Sequence, residues 1–340
     1  MTVLAAVLLE IPYPRVDPVL FHVAGPIDVR WYGLGYLAGF AVAYFILRHL
    51  ARIGFVRMSE HAVGDLVFAL VFGVVLGGRI GYLLFYDLPT VVKNPWVAVR
   101  IWEGGLSFHG GLLGVMVAAA WFTRKHRIPW LHLCDGLALA VPAGIFFVRI
   151  ANFVNGELFG REAPASVPWA MRFPTDPVAQ QLLGVPPGAG LRQREQLMRE
   201  AYRSGLWDQV RPLVPLRHPS QLYEALMEGL LLGLVLWAVY LWARRGNRRL
   251  GTGTYGGIFL VGYGIVRIIG ELFRLPDSQF RTPANPAGTV LGPLTMGQTL
   301  SSVMVIAGVV LLIRAIRRGP DPELGESASP GAPVAAERPA

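Results

Sequence analysis

Cysteine occurs once in these 340 residues, at Cys134, and lysine only twice, at Lys93 and Lys125. A single thiol excludes an intrachain disulfide framework and any multi-cysteine metal site. Charge of either sign is scarce, at 16% of residues, where soluble domains carry roughly a quarter. That scarcity argues against an ordinary cytosolic globule. Apolar residues make up 53% of the chain and mean hydropathy is +0.46. The 40 glycines and 26 prolines lie among long apolar runs, not in polar low-complexity sequence. The formal charge of +9 is almost all arginine. Nucleic-acid binding needs a solvated basic face, whereas these arginines flank or interrupt apolar segments, so no nucleic-acid partner is expected. The start, MTVLAAVLLEIPYP, has neither a basic n-region nor a small-residue cleavage site, so no cleaved signal peptide is read there.

Apolar stretches of about 17–25 residues are long enough to cross a bilayer as helices. Seven qualify, at 31–47, 63–86, 105–122, 132–153, 222–242, 255–273 and 298–313. The expected fold is an all-α integral membrane protein with seven transmembrane helices. Residues 1–30 form an N-terminal segment, and 154–221 a small head domain with an amphipathic helix around 191–205. The Pro/Ala/Gly/Ser-rich tail from 317 to 340 has the composition of a disordered segment. Thirteen Lys and Arg residues fall in the turns after the first, third, fifth and seventh spans, against four in the short turns after the second and sixth. The positive-inside rule puts the thirteen in the cytoplasm. The N-terminus and the 154–221 segment then face outward, and the C-terminus inward.

An ionisable group inside a span costs a few kcal/mol at the bilayer centre, about 3 on insertion scales, and so asks for a partner or a task. Apart from His132 at the very edge of the fourth, nine stand within the seven segments: Asp65, Arg79, His109, Asp135, Arg149, Glu224, Glu228, Arg267 and Glu271. Asp65 and Asp135 fall in first helical turns, where a carboxylate complements the helix dipole. Arg79, His109, Arg149, Glu224 and Arg267 fall instead in the outer half of five different helices. Snorkelling at helix ends would explain any one of them, but convergence from five helices favours a shared interior site. Tyr263, Arg267, Glu271 and Arg274 form one stripe at i, i+4, i+8 and i+11. Arg149 and Asn152 share a face, followed by Asn155 and Glu157 where the helix leaves the membrane. Five glycines lie around His109 in GGLSFHGGLLG. A close helix crossing accounts for the glycines but not for the histidine.

Several arginines at headgroup depth suit a phosphate, because each guanidinium offers a bidentate fork and stays charged. His109 titrates near neutrality and is the natural proton acceptor. The residues themselves therefore describe a membrane protein that grips an anionic lipid headgroup, without naming a reaction. No cofactor and no metal are expected, since His109 is the single candidate ligand histidine in the interior of a span.

The motifs resemble one family, the bacterial phosphatidylglycerol–prolipoprotein diacylglyceryl transferases. The signature run reads Val148-Arg149-Ile150-Ala151-Asn152-Phe153-Val154-Asn155-Gly156-Glu157-Leu158-Phe159-Gly160, with Val148 where the family has glycine. RWYGLGY, GGRIGYLLFYD, GGLSFHGG, HPSQLYEAL, GYGIVRIIGELFRLPD and LTMGQTLS follow in the family's order. The resemblance spans about 25–316 and leaves 175–216 and the tail unmatched. It implies a seven-helix monomer of the bacterial inner membrane with a periplasmic head. Such an enzyme moves the diacylglyceryl group of phosphatidylglycerol onto the lipobox cysteine of a prolipoprotein, releasing glycerol 1-phosphate. Arg149 and Arg267 match the family's essential arginines and His109 its important histidine, which gives the expected catalytic set. Tyr32, Asn152, Gly160 and Tyr263 match positions implicated in substrate handling. Arg79, Asn155, Glu157, Glu271 and Arg274 complete the expected substrate-binding set, with Glu157 and Glu271 as alternatives to His109 for the proton. Cys134, near the opposite end of its span, reads as an apolar filler.

Two other classes fit parts of the pattern. A lipid transporter would carry its polar positions on into the cytoplasmic half, whereas these cluster outward. A scaffold would balance its charges pair by pair, and neither Arg79 nor His109 has an evident partner in the sequence.

Overall fold

The computed structural model describes residues 11–24, 27–101, 104–276 and 280–320. Every expected apolar segment is helical: α1 (Trp31–Arg52), α2 (Glu60–Phe85), α3 (Phe108–Lys125), α4 (Trp130–Val154), α5 (Ser220–Arg245), α6 (Thr254–Gly270) and α7 (Met296–Arg318). By length and composition α1, α2, α4, α5 and α7 can cross a membrane, and α6 is a shorter apolar helix. Helix α3 starts three residues later than its hydropathy suggests. Gly104 and Gly105 take left-handed conformations at φ +89° and +78°, and Ser107 then caps the helix by accepting from the Gly110 N–H.

The chain is mostly helical but not all-α. A hairpin pairs β1 (Val19–Ala24) with β2 (Ile27–Arg30), and another pairs β3 (Thr289–Leu291) with β4 (Leu294–Thr295). Isolated bridges join Gly160 to Arg274 and Arg217 to both Glu162 and Met171. Backbone leaving a helix end still needs partners for its N–H and C=O groups, and these short pairings supply them where the hydropathy pattern is silent.

Helices α2 and α3 meet along a seam of small residues. A Cβ at Gly77 would lie 2.4 Å from the Gly110 carbonyl oxygen, and one at Gly110 2.3 Å from that of Gly77. The two backbones touch, so the glycines flanking His109 serve this crossing. At the start of α2 and the end of α3, Ala62, Val63, Leu66, Leu70, Ala119 and Phe122 join Leu47 of α1 and Leu133 of α4 in one buried cluster.

At the same end of the molecule, Asp135 of α4 caps a neighbouring helix. Its carboxylate accepts from the backbone N–H groups of Gly253 and Gly256 at 2.7 and 2.8 Å. The negative charge therefore faces the positive end of the α6 dipole, not that of its own helix. Asp65 is exposed, and α2 is capped instead by Ser59. Cys134 is half-buried.

Residues 155–219 carry the expected amphipathic helix at Leu191–Ser204, ended by Gly205 at φ +75°. Ala179, Leu183, Ala201, Trp207, Val210 and Val214 give this segment its own small core. Ion pairs tie it to the N-terminal segment, Arg30 to Glu195, Arg192 to Asp28 and Arg199 to Asp17. His22 and the arginines around Asp28 hold that carboxyl below its ordinary pKa. The expected tail lies, from residue 321 on, outside the described residues.

Candidate active site

Arg149 stands five residues before the end of α4 and Arg267 three before the end of α6. Facing them on α5 are Glu224 and Glu228. The first turn of α5 is α-helical and Ala225–Leu231 winds as a π-helix, a local widening that recurs at functional sites. Four positions apart, the two carboxylates stay on one face.

The result is a buried network of three arginines and three glutamates. Glu224 lies at its centre, 3.0 Å from Arg149, 2.6 Å from Arg267 and 3.3 Å from Arg274. Glu228 bridges Arg149 at 3.2 Å and Arg267 at 3.5 Å. Glu271 accepts from Arg267 at 2.7 Å and from the Thr295 hydroxyl at 2.9 Å. The glutamate side chains are at most 5% exposed, and the three arginines 13–15%. Buried charge is tolerable only when paired and hydrogen-bonded, and here formal charge balances at zero. Tyr263 and Tyr32 lie within electrostatic reach of Arg149, and Tyr32 shares a hydroxyl contact of 3.3 Å with Tyr36.

The signature run wraps one side of this network. Asn152 is buried and donates to the Glu157 carboxylate at 2.7 Å. Gln221 donates to the Glu157 carbonyl and Ser220 to that of Leu158, so the run is pinned to the first turn of α5. Gly160 is the crossing point of three chain segments. Its N–H donates to the His218 carbonyl, it bridges Arg274, and a Cβ there would lie 2.3 Å from the Phe273 carbonyl oxygen. Burial holds the adjacent His218 below its ordinary pKa, and its Nδ1 lies 3.1 Å from the Tyr223 hydroxyl. Among the described residues, Asn155 Oδ1, Gln221 Oε1 and Arg161 Nε are buried with no hydrogen-bond partner. Such orphans are few in native proteins, and ordered water satisfies groups of this kind as well as a ligand does.

Two expected site residues sit elsewhere. Arg79 is buried, and its guanidinium donates to five main-chain carbonyls of the 97–105 segment: Val97, Ala98, Arg100, Gly104 and Gly105. Its partner is therefore a loop, which no helical spacing reveals. His109 is exposed on the first turn of α3, edge-on to Phe108 at 5.7 Å, and touches none of the network residues described above. Conversely, Glu228 belongs to the network although no motif marks it. The signal in the sequence is its i, i+4 relation to Glu224 within one apolar segment.

The profile of the prolipoprotein diacylglyceryl transferase family matches residues 18–314. A phosphatidylglycerol–prolipoprotein diacylglyceryl transferase of Idiomarina loihiensis is 44% identical over 91% of this chain and 96% of its own length. One of Azospirillum brasilense is 43% identical over 92% and 98%, and one of Serratia proteamaculans 38% identical over 92% and 97%. With the Arg149–Asn152–Glu157 run folded against the arginine network and likeness along nearly its whole length, the chain belongs to the prolipoprotein diacylglyceryl transferase family.

Proposed function

We propose that this multi-pass membrane protein transfers the sn-1,2-diacylglyceryl group of phosphatidylglycerol to the lipobox cysteine of a prolipoprotein. The observation that carries the reading is the arginine–glutamate network, set against the signature run in a chain 44% identical to a transferase of that name. In the reaction the cysteine sulfur forms a bond to a glycerol carbon. The bond from that carbon to the phosphate oxygen breaks, and glycerol 1-phosphate leaves with the electron pair. The leaving phosphate gains a negative charge, and fixed guanidinium groups in a low-dielectric pocket stabilise that charge as it develops. Arg149 and Arg267 carry this role, with Arg274 beside them. Tyr32, Asn152, Asn155, Tyr263 and the Gly160 crossing shape the headgroup pocket, and Glu271 orients Arg267.

The thiol must lose its proton to attack well. His109 is the proposed acceptor, on the ground that it is the one imidazole among the expected site residues. Glu157 is the second reading, favoured by its bond to Asn152 beside Arg149. The proposed topology has seven spans in the bacterial inner membrane, the 154–221 head and N-terminus outward, the C-terminus inward, and a monomeric working unit. Arg79 in this reading organises the 97–105 segment at the foot of α3 and does not meet the lipid.

The test uses purified protein with phosphatidylglycerol and a lipobox peptide, with or without its cysteine. Cysteine-dependent release of glycerol phosphate is the expected result. Binding of the lipid without release, under conditions where a known transferase works, would favour a lipid carrier instead.

A further inference from the structure

We propose that Glu228 is a positioning residue that sets how strongly the arginine pair holds phosphate. The inference rests on the reading of the network as a phosphate clamp. Glu228 lies four residues further along α5 than Glu224 and is fully buried, whereas Arg149 and Arg267 keep some exposure. It touches both of these arginines and closes the inner side of the network, while Glu224 is shared among all three arginines. A phosphate arriving from the exposed side meets guanidinium groups whose far edges are already held by this carboxylate.

Two consequences follow from charge and geometry. The Glu228 bridge fixes the orientation of Arg149 and Arg267 toward each other, although they come from different helices. It also cancels part of their charge. A phosphodiester carries one negative charge and the released phosphate monoester up to two. Arginines without this counter-charge would hold both more tightly, and binding substrate and product alike does not raise turnover. Glu228 thus trades phosphate affinity for release of the product.

The experiment compares Glu228→Gln with the unaltered enzyme in detergent. Titration calorimetry measures binding of glycerol 1-phosphate and of inorganic phosphate, and turnover is measured in parallel. Glu228→Gln keeps the side-chain volume and removes the charge. It should bind glycerol 1-phosphate at least fivefold more tightly, lower the KM for lipid, and reduce kcat at least tenfold. Glu228→Asp keeps the charge but withdraws it from the arginines, and should show the same direction of change with at least twofold tighter phosphate. A residue that merely supported the fold would lower kcat without tightening phosphate. Folded Glu228→Gln with unchanged or weaker phosphate binding overturns the proposal, and if that variant does not fold, the same result in Glu228→Asp does so. Because phosphate binding needs no acceptor peptide, absence of transfer in the unaltered enzyme would defeat the proposed function while this comparison still reads Glu228.

Discussion

Arg79 and Arg149 look alike in the sequence, each an arginine in the outer half of an apolar helix, yet they are buried in opposite ways. Arg79 is satisfied by five neutral carbonyls of its own neighbourhood. Arg149 is satisfied by two carboxylates from another helix. Carbonyl partners solvate a cation by dipoles and lock a loop in place; an incoming anion has no partner to displace there. Carboxylate partners make a balanced ionic network in which an anionic substrate competes for the same donors. The identity of the partner, more than burial of the arginine, distinguishes the two cations.

Replacing each residue tests the contrast. Arg149→Ala should abolish transfer, by at least a hundredfold, while the protein remains folded and membrane-inserted; full activity with normal expression would remove the phosphate clamp. Arg79→Ala should act in the reverse order. Leaving several carbonyls without a donor costs at least about 2 kcal/mol, so thermal stability in detergent should drop. Activity per folded molecule should fall much less than for Arg149→Ala. A stable Arg79→Ala protein without activity would move Arg79 into the site and erase the distinction. At the opposite end of the molecule, Asp135→Asn weakens the cap on α6 and should lower stability by about 1 kcal/mol, with transfer retained at temperatures where the protein is folded. Cys134→Ala should be near neutral in both stability and turnover, since the nucleophile is the substrate's; loss of turnover at normal expression would contradict that.

Much of the fold was legible because hydropathy reports helices directly, and each of the seven segments is helical. The turn chemistry was not. Gly104 and Gly105 delay α3 by turning through positive φ, and the two hairpins arise from backbone satisfaction that side-chain pattern does not encode. Within the site, the Tyr263–Arg267–Glu271–Arg274 stripe was visible as spacing on one helix, and the structure brings the Arg267, Glu271 and Arg274 side chains into one network. Arg149 joins them through Glu224, a contact across 75 positions of sequence that only packing creates. Arg79 was legible as unusual but not in its role, because its partners are main-chain oxygens of a loop. The glycines around His109 were read correctly as compatible with a helix crossing, whereas the interior position expected for the histidine itself does not match its exposure.

The even charge count of the network bears on how the chain is put into a bilayer. Helix α5 brings two anions within one apolar stretch, and α4 and α6 each bring a cation. An unpaired charge within an apolar helix costs up to about 3 kcal/mol on insertion scales. Inserted together, the anions of α5 neutralise Arg149 and Arg267 from either side. The three helices thus depend on one another to bury their charges, although 65 residues lie between the end of α4 and the start of α5.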